Sequence, residues 1–302
     1  MRSRSVLILL LAVLFALPLA TASASSGAPI WNPSFERTWA RTDRPVSDLS
    51  VSRTWMWGPS GYSGGIVEPY AEAAGGKRIV QYFDKSRMEI TSDPSVSPDS
   101  VWYVTNGLLA KELITGKAQV GDNTFWRWEP AQIPVAGDAV NPSAPTYATF
   151  GKFLAAPAAR DGQALTTRLW RDGRTTNDAL LAKHGVTAVY HVQVWGIDHQ
   201  VASVFWQFMN SSGLVFDGSR TLQGKLFQDP FYATGYPITE AYWATVKVAG
   251  VDRDVLMQCF ERRCLTYTPD NAAGWQVEAG NIGQHYYRWR YADNDPVPAP
   301  IG

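Results

Sequence analysis

The sequence predicts an α+β fold built from two diverged copies of a small hairpin-based sheet, each copy capped by short helices. The first of three supporting observations is an internal repeat. Val80-Gln81-Tyr82-Phe83-Asp84-Lys85-Ser86-Arg87-Met88-Glu89-Ile90-Thr91 is answered by Met257-Gln258-Cys259-Phe260-Glu261-Arg262-Arg263-Cys264-Leu265-Thr266-Tyr267-Thr268, with Gln, Phe and Thr at matching offsets and an acid-base pair after each Phe. The match extends outward. Trp57-Gly58-Pro59 aligns with Gly235-Tyr236-Pro237, Glu68-x-Tyr70 with Glu240-x-Tyr242, and Trp102-x-Val104 with Gly107 aligns with Trp275-x-Val277 with Gly280. The second observation is that short β-prone runs alternate with Gly and Pro punctuation and only a few helical stripes. The third is the aromatic content. Thirteen Trp in 302 residues supply large side chains that can fill two small cores.

The elements follow in chain order. Arg2 and Arg4 precede an apolar run from Val6 to Leu19 and the small-residue site Ala22-Ser23-Ala24, so residues 1–24 read as a secretory signal. Residues 25–128 form the first unit. Trp31, Phe35 and Trp39 mark a helix face whose length Pro33 and Pro45 are expected to limit. Ser60 to Gly65 is a loop. Strands are expected over Arg78–Phe83 and Met88–Thr91 with a turn at Asp84–Arg87, then a loop to Ser100. A helix is expected over Thr105–Thr115, stopped by Gly116. Four prolines punctuate 129–147, which reads as a linker, although Ile133-Pro134-Val135 can lie across a surface.

The second unit, 148–302, carries an N-terminal strand-helix extension. Ala164–Trp170 and Val186–Trp195 read as strands. Asp198 is expected to cap a helix over Gln200–Asn210 whose buried stripe is Val201, Val204, Phe205 and Phe208. Val246, Val248 and Val255–Phe260 supply strands, Ile282, Tyr286 and Trp289 a closing helix, and the Pro-rich tail is expected to fray. Trp102 and Trp275 read as core residues at matching sites.

Composition excludes some functions. Removing the signal leaves 25 basic residues against 27 acidic ones, so no bulk charge attracts nucleic acid or anionic lipid. No later apolar run is long enough to span a membrane, and no insertion is expected after signal cleavage. Cys259 and Cys264, the only cysteines, flank a four-residue turn and are expected to form a structural disulfide, which export permits and which contributes roughly 2 kcal/mol. A metal or redox role for the pair lacks nearby His ligands.

Several catalytic patterns are missing. No Gly-x-Ser-x-Gly elbow and no phosphate-cradling glycine loop occurs, and no cofactor is expected. His184, His191, His199 and His285 lack helical metal-pair spacing, so no metal site is expected. Paired carboxylates could serve glycoside hydrolysis, and Glu240, Glu261 and His199 are the candidates for such a site. The competing reading is that the turn acids are solvated charges beside Lys85 and Arg262. The aromatic clusters are the stronger signal, because a Trp or Tyr face can stack on the apolar face of a sugar ring. Trp55, Trp57, Tyr70 and Tyr82 in the first unit, and Tyr236, Tyr242, Trp243 and Tyr287 in the second, are the candidate ligand-binding residues.

Gly235-Tyr236-Pro237-Ile238-Thr239-Glu240, Gln258-x-Phe260-Glu261-Arg262, Tyr267-Thr268-Pro269, Gly274-Trp275-x-Val277 and Gly280-Asn281-Ile282-Gly283 together carry a resemblance. The chain resembles the LGFP-type repeat of bacterial cell-envelope proteins. It is also similar to secreted bacterial proteins carrying Tyr-Phe-Asp-Lys-x-Arg-Met-Glu and Cys-Phe-Glu-Arg-Arg-Cys-Leu-Thr-Tyr-Thr-Pro blocks. The resemblance implies envelope association and an adapter role on cell-wall glycan, with no catalytic residues to carry over. The expectation is a secreted, non-enzymatic envelope module that binds glycan or peptidoglycan through aromatic surfaces. Its partners would be cell-wall polysaccharide or an envelope protein. The alternatives are a secreted polysaccharide or peptidoglycan hydrolase, and a structural protein that makes protein contacts in the envelope.

Overall fold

Helix α1 (Pro33–Ser47) opens the described chain, and its start is written locally. The Asn32 side chain accepts the Ser34 N–H at 2.8 Å, and Pro33 sits in the first turn, where its missing N–H costs nothing. The prolines therefore do not curtail this helix: Pro33 begins it and Pro45 falls in its last turn. The computed structural model describes residues 27–91 and 93–295, so the expected signal segment and the frayed tail lie outside the described residues.

Strands β1 (Gly61–Pro69), β2 (Lys77–Phe83), β3 (Ser86–Ile90) and β4 (Val104–Asn106) form an antiparallel sheet in that order. Part of the expected loop at 60–65 is therefore strand. Helix α2 (Leu109–Thr115) follows, shorter than expected because β4 takes the preceding residues. It ends at Gly116, whose φ of +68° suits glycine. Strands β5 (Lys117–Gln119) and β6 (Phe125–Arg127) pair, and the short helix α3 (Tyr147–Phe150) follows the Pro-rich stretch. That stretch packs rather than tethers. Ala131, Val135 and Ala144 are buried, and the Ala131 N–H donates to the Leu113 carbonyl at 2.9 Å.

Strands β7 (Thr167–Leu169) and β8 (Thr175–Asn177) are followed by the hairpin of β9 (Ala188–Val194) and β10 (Ile197–Ala202). Here the expected helix over 200–210 needs correction. Asp198, His199 and Gln200 are strand residues, Asp198 caps no helix, and α4 (Ser203–Met209) begins only after the strand. Val201 and Phe205 are buried as expected, but from two different elements. The hairpin of β11 (Ser212–Phe216) and β12 (Thr221–Lys225) then packs near α1. Strands β13 (Tyr242–Val248), β14 (Val251–Cys259), β15 (Cys264–Tyr267) and β16 (Val277–Ala279) complete a six-stranded sheet in the order β16-β15-β14-β13-β7-β8. Helix α5 (Ile282–Tyr287) runs into a π turn over Arg288–Ala292.

The fold is thus mixed α+β, with several small antiparallel sheets and aromatic clusters. The hairpins β2–β3 and β14–β15 share a register. Tyr82 faces Arg87 where Cys259 faces Cys264, and Gln81 faces Met88 where Gln258 faces Leu265. The next strand keeps step: Met88 faces Asn106 and Leu265 faces Ala279. Two expected matches do not survive this register. Ile66 faces Val80 as Tyr242 faces Met257, so Glu68 does not hold the place of Glu240. The preceding turns shift by one. The Lys85 N–H donates to the Trp57 carbonyl and the Arg262 N–H to the Thr234 carbonyl, which puts Gly58 beside Gly235.

Two separate small cores are not what forms. Val80, Tyr82 and Leu113 share one central core with Met257, Cys259 and Tyr286. A second core lies under β9, β10 and α4 around Phe205 and Trp243, and a third under α1 around Phe35, Trp57 and Phe83. The helices are docked reciprocally. The Lys111 N–H of α2 donates to the Glu261 carbonyl at 3.1 Å, and the Gly283 N–H of α5 donates to the Asp84 carbonyl at 2.9 Å. Each hairpin turn is therefore held by the helix from the other half of the chain.

Candidate functional site

The buried aromatics are settled first by their surroundings. Trp57, Tyr82, Tyr242 and Trp243, all expected to meet ligand, are buried. The Trp243 indole donates to the Leu165 carbonyl at 2.8 Å, and the Tyr82 hydroxyl donates to Glu68 at 2.6 Å. Trp57 lies beneath the Arg263 guanidinium, 4.9 Å from the ring centre. Large rings at these positions fill shared cores, and their polar ends are mostly satisfied within them.

Four expected residues reach the surface in part. Trp55 is half-buried against the third core. Tyr70 lies under the Arg78 guanidinium at 4.2 Å and donates its hydroxyl to Asp122 at 2.6 Å. Tyr287 packs edge-on against Tyr62 at 5.5 Å. Tyr236 is 39 % exposed and belongs to a larger assembly. Trp102, expected in the core, is instead exposed, with its edge against Tyr232.

That assembly is a row of four rings from three parts of the chain: β9, α4 and the connection before β13. Tyr190 of β9 stacks on Trp206 of α4 with centroids 3.7 Å apart and planes 12° from parallel. Trp206 meets Phe231 at 6.0 Å, and Phe231 meets Tyr236 at 4.9 Å. Tyr190 is also 39 % exposed, so both ends of the row face water. Trp195, at the tip of the same β9–β10 hairpin, is fully exposed.

The Tyr236 end of the row is built onto the disulfide hairpin. Cys259 and Cys264 are disulfide-bonded across the β14–β15 turn. The Tyr236 N–H donates to Glu261 Oε2 at 3.2 Å, and the Glu261 N–H returns a bond to the Tyr236 carbonyl at 2.9 Å. Gly235 makes this approach possible. Its φ is +69°, and a Cβ there would lie 2.8 Å from the Glu261 Cβ. Lys111 Nζ sits 3.4 Å from Glu261 Oε1, so a donor and an acceptor border this end of the row.

Of the candidate catalytic residues, the structure brings Glu240 and His199 together and leaves Glu261 apart from them. Glu240 is buried and accepts the N–H groups of Gln200 at 3.0 Å and Ala159 at 3.1 Å, while His199 Nδ1 lies 3.1 Å from its Oε1. His199 Nε2 meets the Leu154 carbonyl at 3.2 Å, so both ring nitrogens are occupied. Glu261 forms no hydrogen bond with either residue among the described residues. No group of three or more His, Cys, Asp or Glu side chains able to hold a metal ion occurs among them either.

Tyr190, Trp206 and Phe231 were missed by sequence reasoning. A usable signal existed for Trp206, which falls off the Val201, Phe205 stripe and so had to point elsewhere. Tyr190 shares its strand face with the buried Ala188 and Val192, and only the packing of α4 against that strand reveals its exposure. No family model, no curated protein and no solved structure matches this chain, so the likeness to envelope repeats rests on the quoted residues alone.

Proposed function

We propose that this chain is a secreted, non-enzymatic module of the bacterial cell envelope that holds polysaccharide or peptidoglycan on the Tyr190–Trp206–Phe231–Tyr236 row. The row, exposed at both ends and half-buried at Trp206 and Phe231, is the observation that carries the reading. Flat rings offer apolar faces to sugar C–H groups, while Lys111 and Glu261 supply a donor and an acceptor for hydroxyls at one end. The signal-like segment at 1–24 and the disulfide support export. The shared register of the two hairpins and their reciprocal helix docking support descent of both halves from one duplicated unit.

The test is a pull-down of the purified chain with insoluble peptidoglycan, chitin and cellulose, with released sugar assayed in the supernatant. Retention without release is expected, and Tyr190→Ala together with Tyr236→Ala should abolish it while leaving the far-UV spectrum unchanged. Released sugar would replace the adapter reading with a hydrolase. Absence of retention on every polymer would overturn the glycan reading and favour protein contacts.

A further inference from the structure

A cavity of about 620 Å³ opens between α1, the β11–β12 hairpin and the 99–104 segment. Its size falls within the range of small-molecule sites, roughly 300–1,000 Å³. Met56, Trp57, Phe216 and Leu226 give it apolar walls. Cations line it from one helix face, because Arg37, Arg41 and Arg44 recur at helical spacing on α1.

These arginines are not equivalent. Arg44 is paired with Glu36 at 3.2 Å and lies over the Phe216 ring at 4.5 Å. Arg37 and Arg41 form no ion pair among the described residues. Each spends one terminal nitrogen on a backbone carbonyl, Arg37 on Pro98 at 2.7 Å and Arg41 on Lys225 at 2.7 Å. The two guanidiniums are thereby tethered to chain next to the lining, beside Asp99 and Leu226, and Arg37 also reaches Ser34 Oγ at 3.4 Å, while most of their five donors stay unspent. Burial pulls Arg41 below its ordinary guanidinium value with no carboxylate opposing the shift. None of the acids lining the same cavity forms an ion pair with Arg37 or Arg41 among the described residues. Glu36 pairs with Arg44, Asp217 accepts the N–H groups of Ser219 and Arg220 at 2.9 Å each, and Asp99 has no cation among those residues within ion-pair distance.

We propose that this cavity binds a small amphipathic carboxylic acid, its apolar body against Trp57, Phe216 and Leu226 and its carboxylate on Arg37 and Arg41. An apolar chamber with two unpaired cations favours that class over neutral or basic molecules of the same size, since hydrogen bonds to a charged group are the stronger kind. The site is independent of the aromatic row and does not require that row to bind glycan.

The test uses the purified full chain with anilinonaphthalene sulfonate as the fluorescent probe and octanoate, octanol and octylamine as competitors. Octanoate should displace the probe about ten-fold or more better than octanol, the discrimination one charged hydrogen-bonded contact supplies. Arg37→Gln with Arg41→Gln should erase that difference, and Val101→Trp, which crowds the chamber, should weaken both competitors. Equal displacement by octanoate and octanol would overturn the proposal, as would octanoate affinity unchanged in the arginine variant or no displacement at millimolar octanoate. If the double variant fails to fold, the exposed Arg37→Gln alone carries the charge comparison and Val101→Trp the location.

Discussion

Gln81 and Gln258 hold the same register position in two hairpins, and each buried carboxamide makes the same set of bonds. Gln81 accepts the Trp31 N–H at 2.9 Å and donates to the Pro29 and Ser63 carbonyls, both at 2.8 Å. Gln258 accepts the Ala202 N–H at 3.1 Å and donates to the Gln200 carbonyl at 2.6 Å and the Thr239 carbonyl at 3.0 Å. Each glutamine thus takes the place of a missing stretch of ladder, holding chain that runs past the hairpin. Gln81→Ala or Gln258→Ala would leave three backbone groups without their partner. Each substitution should cost about 3 kcal/mol or more, since a buried unsatisfied group costs about 1–3 kcal/mol. Urea unfolding of the two variants against the parent checks the size and the parity of the effect.

Glu68 makes acid sensitivity a property of the central core. Burial alone would raise its carboxyl, but the guanidiniums of Arg87, Arg290 and Arg78 and the Tyr291 hydroxyl outweigh burial and hold it at about 2. Arg290 lies 3.0 Å and Arg87 3.4 Å from its Oε2. A carboxyl depressed in the native state binds fewer protons than it does unfolded. Its stabilisation is therefore complete above its ordinary value and is lost as pH falls towards 2. Asp43, which burial raises to about 6 against three backbone N–H donors, acts in the opposite sense between its ordinary value and 6. The informative quantity is therefore the difference between Glu68→Gln and the parent. The variant should lose about 3–5 kcal/mol at neutral pH, because among the described residues buried Arg290 is left with Asp295 alone, 3.9 Å away, while Arg87 still has Glu89 at 2.6 Å. It should also show a flatter stability profile on acidification below pH 4.5, read from denaturant midpoints across that range.

The matched offsets of Gln, Phe and the acid-base turn made the hairpins legible, because strands follow from such runs. What those offsets could not convey is which half each helix serves. Lys111 and Gly283 reach turns about 150 and 200 residues away in sequence, and nothing in local periodicity encodes such a crossing. Trp57, Tyr82, Tyr242 and Trp243 were misread for a related reason. An aromatic residue looks the same in sequence whether it fills a shared core or faces solvent, and only the partner surface decides. His199 illustrates a competition between neighbours: its segment carries an apolar helical stripe, yet pairing with β9 keeps it extended up to Ala202.

The reciprocal docking implies that the halves do not fold apart. Gln284 reinforces it with a side-chain bond to Asp84 Oδ1 at 2.7 Å, as Lys111 does towards Glu261. A polypeptide of residues 27–147 would expose Val80, Tyr82 and Leu113 without their partners Met257 and Tyr286. It should remain unfolded by near-UV circular dichroism when produced alone. Within the full chain the contact is sterically strict: a Cβ on Gly283 would lie 1.9 Å from the Phe83 carbonyl oxygen. Gly283→Ala should therefore lower the thermal midpoint, because helix α5 must withdraw from the turn. An unchanged midpoint would mean that the helix has room to shift.

Cys259 and Cys264 connect stability to the proposed binding surface through one turn. The disulfide closes the hairpin that carries Glu261, and Glu261 holds the backbone of Tyr236 at the end of the aromatic row. Cys259→Ser with Cys264→Ser should cost about 2 kcal/mol from the small ring it opens. The hairpin itself should persist, because the β2–β3 turn closes in the same register with Tyr82 and Arg87 and no covalent link. Retention on polysaccharide should fall in the double variant more than in a variant of equal stability loss at Gln81, which lies in the other hairpin. Equal retention at matched stability would mean that the turn fixes Tyr236 without the disulfide's help, and that the bond serves the fold alone.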